Sequence, residues 1–314
     1  MASSLALGVD IGGTSTKLGL VERSGTITAQ YRLPTDAHGN DPDPFLTRLY
    51  AAIDGVLAQA GREIVGIGVS THGEVDAERR GPIIAGNTPA LRNVDLRGRL
   101  EARYHLPVVL NNDLTAHALG EYHYGCGRGV QRFMCMAMGT GLGAGVIVAG
   151  KPLIIDGGNS GNTGLVVIDP DGPADYNGIR GSAESLCGLP GIERLARERY
   201  GRAVTAREVI SAARSGADPE AVAIMGQIGA YLGHTLAILS VIFYPHRIAL
   251  TGGTTAAGAA LLEPCRATFA RLVGDFFRDI AANTGGHFRE VEIVIGKCGS
   301  EAGLLGSVVE LFAL

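Results

Sequence analysis

The stretch Pro107–Glu121, PVVLNNDLTAHALGE, decides how the rest of the chain is read. Val108, Val109 and Leu110 are β-branched or bulky apolar residues behind a proline, which predicts a short buried strand. Three polar residues, Asn111, Asn112 and Asp113, follow with no glycine or proline to explain them as a turn. Leu114, Ala118 and Leu119 then keep an i, i+4, i+5 apolar stripe, which predicts a helix with Glu121 on its other side. A carboxylate at a strand-to-helix junction stands at the mouth of an open α/β sheet, where ligands bind. Asp113 is therefore a candidate catalytic residue; the alternative is a plain N-cap.

Composition narrows the classes. The chain has 314 residues, enough for two domains, with 46% apolar residues and no tryptophan. A net charge of −4, with scattered Lys and Arg, offers no footprint for nucleic acid. Five cysteines without a CxxC pair fit reduced thiols in a cytoplasmic protein. No signal-peptide pattern opens the chain. The greasy run Tyr231–Tyr244 contains His234 and stops at Pro245, so it predicts a buried core helix and no membrane partner.

Upstream, LALGVD, the glycine-rich IGGTST and KLGLV read as strand, turn and strand, with ITAQYRL as a third strand. A helix is expected from about Phe45 to Ala60, then a buried strand IVGIGVS leading into the loop Thr71–Asp76, and a helix near Leu96–Tyr104. Downstream, Phe133–Met138 is a strand, GTGLGAG a turn and VIVAGKPL a strand. A polar, glycine-rich segment covers Gly157–Gly181, and Ser211–Pro219 reads as a linker before a long helix to Tyr244. RIALTGG and VEIVIG are further strands, and a helix from Ser300 to Leu314 closes the chain. Strand, glycine turn and strand thus recur in both halves, which predicts two similarly built domains across a cleft.

Three glycine clusters each end a hydrophobic strand. Glycines expose backbone N–H groups and let a phosphate approach. The first cluster offers Gly12, Gly13 and the hydroxyls of Thr14 and Thr16, with Lys17 as a nearby cation and Asp10 placed to hold Mg²⁺ through water. The second, Gly139–Thr140–Gly141, precedes a strand and so is no dinucleotide fingerprint. The third, Gly252–Gly253, opens a stretch of small residues suited to a nucleotide.

LGVDIGGTSTKLGLV, GIGVSTHGEVD, PVVLNNDLTAHALGE, MGTGLGAGVIVAGKPL and IALTGG, in this order, resemble the sugar-kinase branch of the ROK family (repressors, open reading frames, kinases) of the actin-like ATPase superfamily. The resemblance implies an α/β fold of two RNase H-like domains flanking a cleft. Residues 1–118 with 301–314 would form the N-terminal domain and 119–300 the C-terminal one. It implies ATP and Mg²⁺ as cofactors, the DIGGT and GTG segments on phosphates and TGG near adenosine, a small sugar or polyol as partner, and a homodimer or homotetramer. Asp113 matches the family's general base, and Asn112, Gly73, Asn87, Asn162 and Glu184 fall at sugar-site positions. The repressors' helix-turn-helix has no room ahead of the first strand.

The chain departs from the family at its GEIGH and CxCGxxGCxE segments, where a histidine and three cysteines hold zinc. Leu165, Asp175, Asn177 and Ser182 stand at those ligand positions, so no zinc site is expected. Of the sugar-contacting residues of those segments only Glu184 persists; Asn162 and Leu165 replace the other two. That argues for an acceptor differing from glucose near C1 and C2, such as an altered aldohexose, an amino or N-acetyl sugar, a ketose or a cyclitol. His72 is read as loop structure, having no partner in sequence. The alternative to a kinase is a catalytically inactive sugar-binding sensor of the same fold.

Overall fold

The computed structural model of the chain describes residues 4–313. They form two compact units. The first comprises the described residues up to Arg128, Gly150–Gly161 and those from Ser300 onward; the second comprises Gly129–Ala149 and Asn162–Gly299.

The first unit is built on a mixed sheet of order β3-β2-β1-β4-β7. β1 (Leu5–Ile11) turns through the first glycine cluster into antiparallel β2 (Ser15–Glu22), and β3 (Ile27–Pro34) continues the meander. β4 (Ile64–Thr71) runs parallel to β1, and β7 (Val108–Asn112) parallel to β4. Strand alternation sorts β1 into two faces. Leu5, Leu7, Val9 and Ile11 join one core cluster with Phe45, Leu49, Ile53 and Val56 of α1 (Asp43–Leu57) and with Leu96 and Leu100 of α2 (Leu96–Tyr104). The small hairpin β5 (Glu74–Val75) and β6 (Pro82–Ile84) leaves the top of β4.

The other face carries glycine. α10 (Ala302–Ser307) lies so close that a Cβ on Gly8 would meet Leu304 O at 2.9 Å, and one on Gly68 would meet Ser307 O at 2.2 Å. The same helix packs against α3 (Asp113–His123). The closing segment is thus one α-turn pair between two 3-10 turns, Gly299–Glu301 and Val309–Phe312, rather than the single helix expected. α3 is covered on both sides, so Glu121 is fully buried instead of facing water; its carboxylate accepts from the Cys126 N–H at 3.2 Å. The short strand β10 (Lys151–Pro152) opens Gly150–Gly161.

The second unit repeats the opening pattern. β8 (Arg132–Met138) turns through the second glycine cluster into antiparallel β9 (Leu142–Val148); β11 (Arg247–Thr251) runs parallel to β8, and β12 (Glu292–Ile295) parallel to β11. Its helices are α4 (Ala183–Cys187), α5 (Leu189–Tyr200), α6 (Ala206–Ser215), α7 (Pro219–Phe243), α8 (Ala259–Phe269) and α9 (Asp275–Asn283). The expected linker Ser211–Pro219 is helical through Ser215: a capping box at Thr205 and Glu208 starts α6, and Gly216, at φ 68°, ends it. α7 has the length and apolar composition to cross a membrane. Here it packs on α8, where a Cβ on Gly233 would meet Cys265 O at 2.3 Å, and Ile224, Ile228, Leu232 and Leu236 are fully buried.

Candidate active site

In the first unit, register brings the candidate residues to one edge. Ile11 pairs with Thr71, and Thr71 with Asn112, so β1, β4 and β7 end level with one another. The glycine turn, the loop after β4 and the start of α3 therefore leave the sheet together at the carboxyl ends of its parallel strands, where such sheets bind ligands.

Asn112, not Asp113, caps α3. Its Oδ1 accepts from the Leu114 N–H at 2.9 Å, and its Nδ2 donates to the Gly73 carbonyl at 2.8 Å. The carboxamide, 3% exposed, thereby braces the loop after β4 against the helix. Asp113 is the first helical residue; Oδ1 also receives the Leu114 N–H at 3.0 Å, and Oδ2 lies 3.5 Å from His72 Nδ1. His72 Nε2 in turn sits 3.2 Å from Asn87 Nδ2. This His72 link was invisible in the sequence, because its partners are neighbours only once the strands are in register. Gly73 has φ 94°, and a Cβ there would strike Ile84 O at 1.9 Å, so only glycine fits. Residues 157–159 lie alongside: Thr115 Oγ1 donates to Gly158 O at 2.8 Å, and Asn159 Nδ2 to Glu74 Oε2 at 3.2 Å.

At the first glycine turn, Gly12 N–H donates to Ser15 O at 3.2 Å, while Gly13 lies under Asn87, where a Cβ would meet Asn87 Cβ at 2.8 Å. Thr14 is exposed. Thr16 is fully buried, its hydroxyl paired with Thr35 Oγ1 at 2.9 Å, and the Lys17 ammonium donates to Ser300 O and lies 3.7 Å from Glu301. Thr16 reaches the turn through Thr35, whose hydroxyl donates to Gly12 O at 2.6 Å, and Lys17 is held to the closing segment. Asp10 accepts from Ser70 Oγ at 2.8 Å. Burial pushes its carboxyl above the usual range, against the opposing charge of His117, the Ser70 hydrogen bond and the charge of Lys17; Asp113 adds to the rise. Among the described residues no three His, Cys, Asp or Glu side chains form a metal cage. A single carboxylate such as Asp10 suits Mg²⁺, which keeps several waters and shares phosphate oxygens.

In the second unit, Thr251 pairs with Ala137, so the second and third glycine clusters leave one sheet edge side by side. Gly139 N–H donates to Gly141 O at 2.9 Å to close the turn, on which Thr140 is exposed. A Cβ on Gly252, at φ 92°, would meet Met138 O at 2.0 Å. Gly253 opens a 3-10 turn, Gly253–Ala257, and the α-helix begins only at Ala259. Glu184 Oε2 accepts from the Leu142 N–H at 2.9 Å, tying α4 to the second turn. Asn162 is exposed at the head of the 3-10 turn Thr163–Leu165, and Thr163 Oγ1 accepts from the Ala144 N–H at 2.7 Å. The loop behind it is closed by Asp175, which accepts from the Asn177 and Ile179 N–H groups at 2.8 and 3.0 Å and from Ser182 Oγ at 2.7 Å. Ser182 Oγ then caps α4 through the Ser185 N–H at 3.1 Å.

The model of the ROK family matches residues 6–310 of the chain. A glucokinase of Streptomyces coelicolor is 31% identical over 321 residues, covering 96% of each chain. Among solved structures, a ROK hexokinase from Thermus thermophilus is 28% identical with a TM-score of 0.83 over 98% of both chains. A ROK family glucokinase from Streptomyces griseus in complex with glucose and AMPPNP is 29% identical with a TM-score of 0.79, over 97% of this chain and 98% of that one. Mixed α/β units built on this topology carry the actin-like ATPase fold of those neighbours. With that fold and a match along nearly its whole length, the chain belongs to the ROK family.

Proposed function

We propose that the protein is an ATP- and Mg²⁺-dependent kinase that transfers the γ-phosphate to a hydroxyl of a hexose or hexose-like polyol. The observation that carries this reading is the placement of Asp113. It is a carboxylate about one-third exposed at the first residue of α3, on the sheet edge it shares with Asp10 and the first glycine turn. Phosphoryl transfer asks the protein mainly to align groups and stabilise charge, with a carboxylate receiving the proton of the attacking hydroxyl. Asp113 Oδ2 is suited to that task, because Leu114 already holds Oδ1. The turns at Gly12–Gly13 and Gly139–Gly141 suit phosphate oxygens, with the Gly12 and Gly139 N–H groups holding the turns closed and the small residues letting a phosphate approach, and Gly252 and Gly253 suit the nucleoside. Mg²⁺ at Asp10 would offset phosphate charge.

Sugar binding is assigned to Gly73, Asn87, Asn112, Asn162 and Glu184. Asn112 and Glu184 each already hold a backbone partner, so they would read hydroxyls from a fixed orientation. Exposed Asn162 and half-buried Leu165 support an acceptor other than glucose, among them amino sugars and cyclitols. The two compact units are read as the two domains of this kinase, acting in the cytoplasm as a homodimer or homotetramer. Asp113→Ala tests the reading: ADP release with a working acceptor should fall roughly a hundredfold to ten-thousandfold, the range expected for a lost general base, while calorimetric ATP binding stays unchanged. Substantial residual turnover would refute the base assignment.

A further inference from the structure

His72 stands where three elements of the first unit meet. It is the first residue beyond β4; its N–H donates to Ile11 O at 3.3 Å beside the glycine turn, and its ring lies between Asn87 and Asp113. With the Asn87 carboxamide oriented as here, the amide can only donate, so His72 Nε2 is the acceptor and the neutral ring carries its proton on Nδ1. That nitrogen lies 3.5 Å from Asp113 Oδ2. The distance is long for a hydrogen bond, as contacts to a catalytic base commonly are outside the substrate complex.

We propose that His72 is a positioning residue for Asp113: its Nδ1–H fixes Oδ2 while the Leu114 N–H fixes Oδ1, so the carboxylate plane is set before the acceptor hydroxyl arrives. The inference rests on Asp113 being the base. Both side chains are about one-third exposed, 33% and 31%, so the pair borders open space and is not core filling. Asn87 completes the relay by fixing the ring's tautomer, which couples the loop over Gly13 to the carboxylate on α3. The second lone pair of Oδ2 stays directed to a substrate proton.

Three substitutions separate positioning from packing. His72→Asn places an amide N–H near the Nδ1 position, His72→Gln reaches the Nε2 position instead, and His72→Ala has neither. ADP release is measured with MgATP and glucose, N-acetylglucosamine and myo-inositol as acceptors, beside thermal unfolding. The proposal expects kcat to fall about tenfold to a hundredfold in the Gln and Ala variants, the scale of a misplaced reacting group, with KM for ATP unchanged and Asn within a few-fold of wild type. Wild-type kcat in His72→Gln and His72→Ala overturns it, as does a loss in all three that tracks their melting temperatures. Nitrogen NMR of the His72 ring gives a reading without substitution: an Nδ1-protonated neutral ring is expected, and an Nε2-protonated one overturns the proposal. Asp113→Asn separates the levels. If it keeps turnover, the base assignment falls and this inference with it; if it is inactive while the His72 variants match wild type, this inference falls alone.

Discussion

Replacing Gly306 by alanine tests how tightly the chemistry is tied to the fold. A Cβ at this position of α10 would lie 1.6 Å from Ala116 O and 2.8 Å from Gly120 N, both in the backbone of α3. A carbon and a carbonyl oxygen approach to about 3.3 Å at closest, so the two helices must part by roughly 1.7 Å. Neither neighbour is a side chain that can swing away, which puts the cost near the upper end of the overpacking range, about 3 kcal/mol. For a chain of 314 residues that corresponds to a fall in Tm of roughly 4–5 °C. α3 carries Asp113 at its first residue, so its displacement should also lower kcat, by about a hundredfold if the carboxylate moves by 1 Å. Calorimetric unfolding and steady-state ADP release measure the two effects. Gly55→Ala is the control: it lies in α1 with no atom within 4 Å of the added carbon and should be neutral or stabilising by about 0.5–1 kcal/mol. A Gly306→Ala protein with wild-type Tm and kcat would show that α3 is not held by α10.

Asp10→Asn should raise the melting temperature while lowering turnover. The folded Asp10 carboxyl titrates above its unfolded value because of burial, so its stabilising contribution is complete below the unfolded pKa and lost as pH rises through the folded one. In magnesium-free buffer the variant should gain roughly 1–2 °C near neutrality, as for about 1 kcal/mol, with the gain shrinking toward acid pH; a constant or reversed difference would refute this. Asp175→Ala removes the acceptor for two backbone N–H groups and for Ser182, so it should cost about 2–3 kcal/mol and, through α4 and the hold of Glu184 on the second glycine turn, raise KM for both the sugar and ATP; unchanged KM values would refute this. Metal analysis of the wild-type protein should find less than one zinc per chain, and one tightly held zinc would contradict this account of the loop.

Much of the fold was legible because it is local. Alternating or continuous apolar runs marked β1, β4 and β7, and the glycine clusters marked turns between antiparallel strands in both halves. Less legible was whatever depends on a distant neighbour. Gly8 and Gly68 look like weak points in strands until α10 is laid across them. Glu121 looks solvent-facing until the turn at Cys126 supplies its N–H partner. Thr16 and Lys17 look alike in the sequence as phosphate ligands beside a glycine turn, but strand alternation sends them to opposite faces: Thr16 to Thr35, whose hydroxyl donates to Gly12 O of the turn, and Lys17 to Ser300. His72 and Asp113 show the limit best. Each sits one residue past the end of its strand, and only the parallel register Thr71 to Asn112 reveals that the two are neighbours.

The central claim is acceptor-dependent phosphoryl transfer. Its most direct test is ADP release by the purified protein with MgATP over a panel of aldohexoses, ketoses, amino and N-acetyl sugars and cyclitols. The account predicts that at least one polyol stimulates ADP release well above the acceptor-free rate, with an amino sugar, N-acetyl sugar or cyclitol favoured over glucose. ATP binding without turnover on any member of the panel would contradict it, and would favour a sugar-binding sensor that keeps the fold without the reaction.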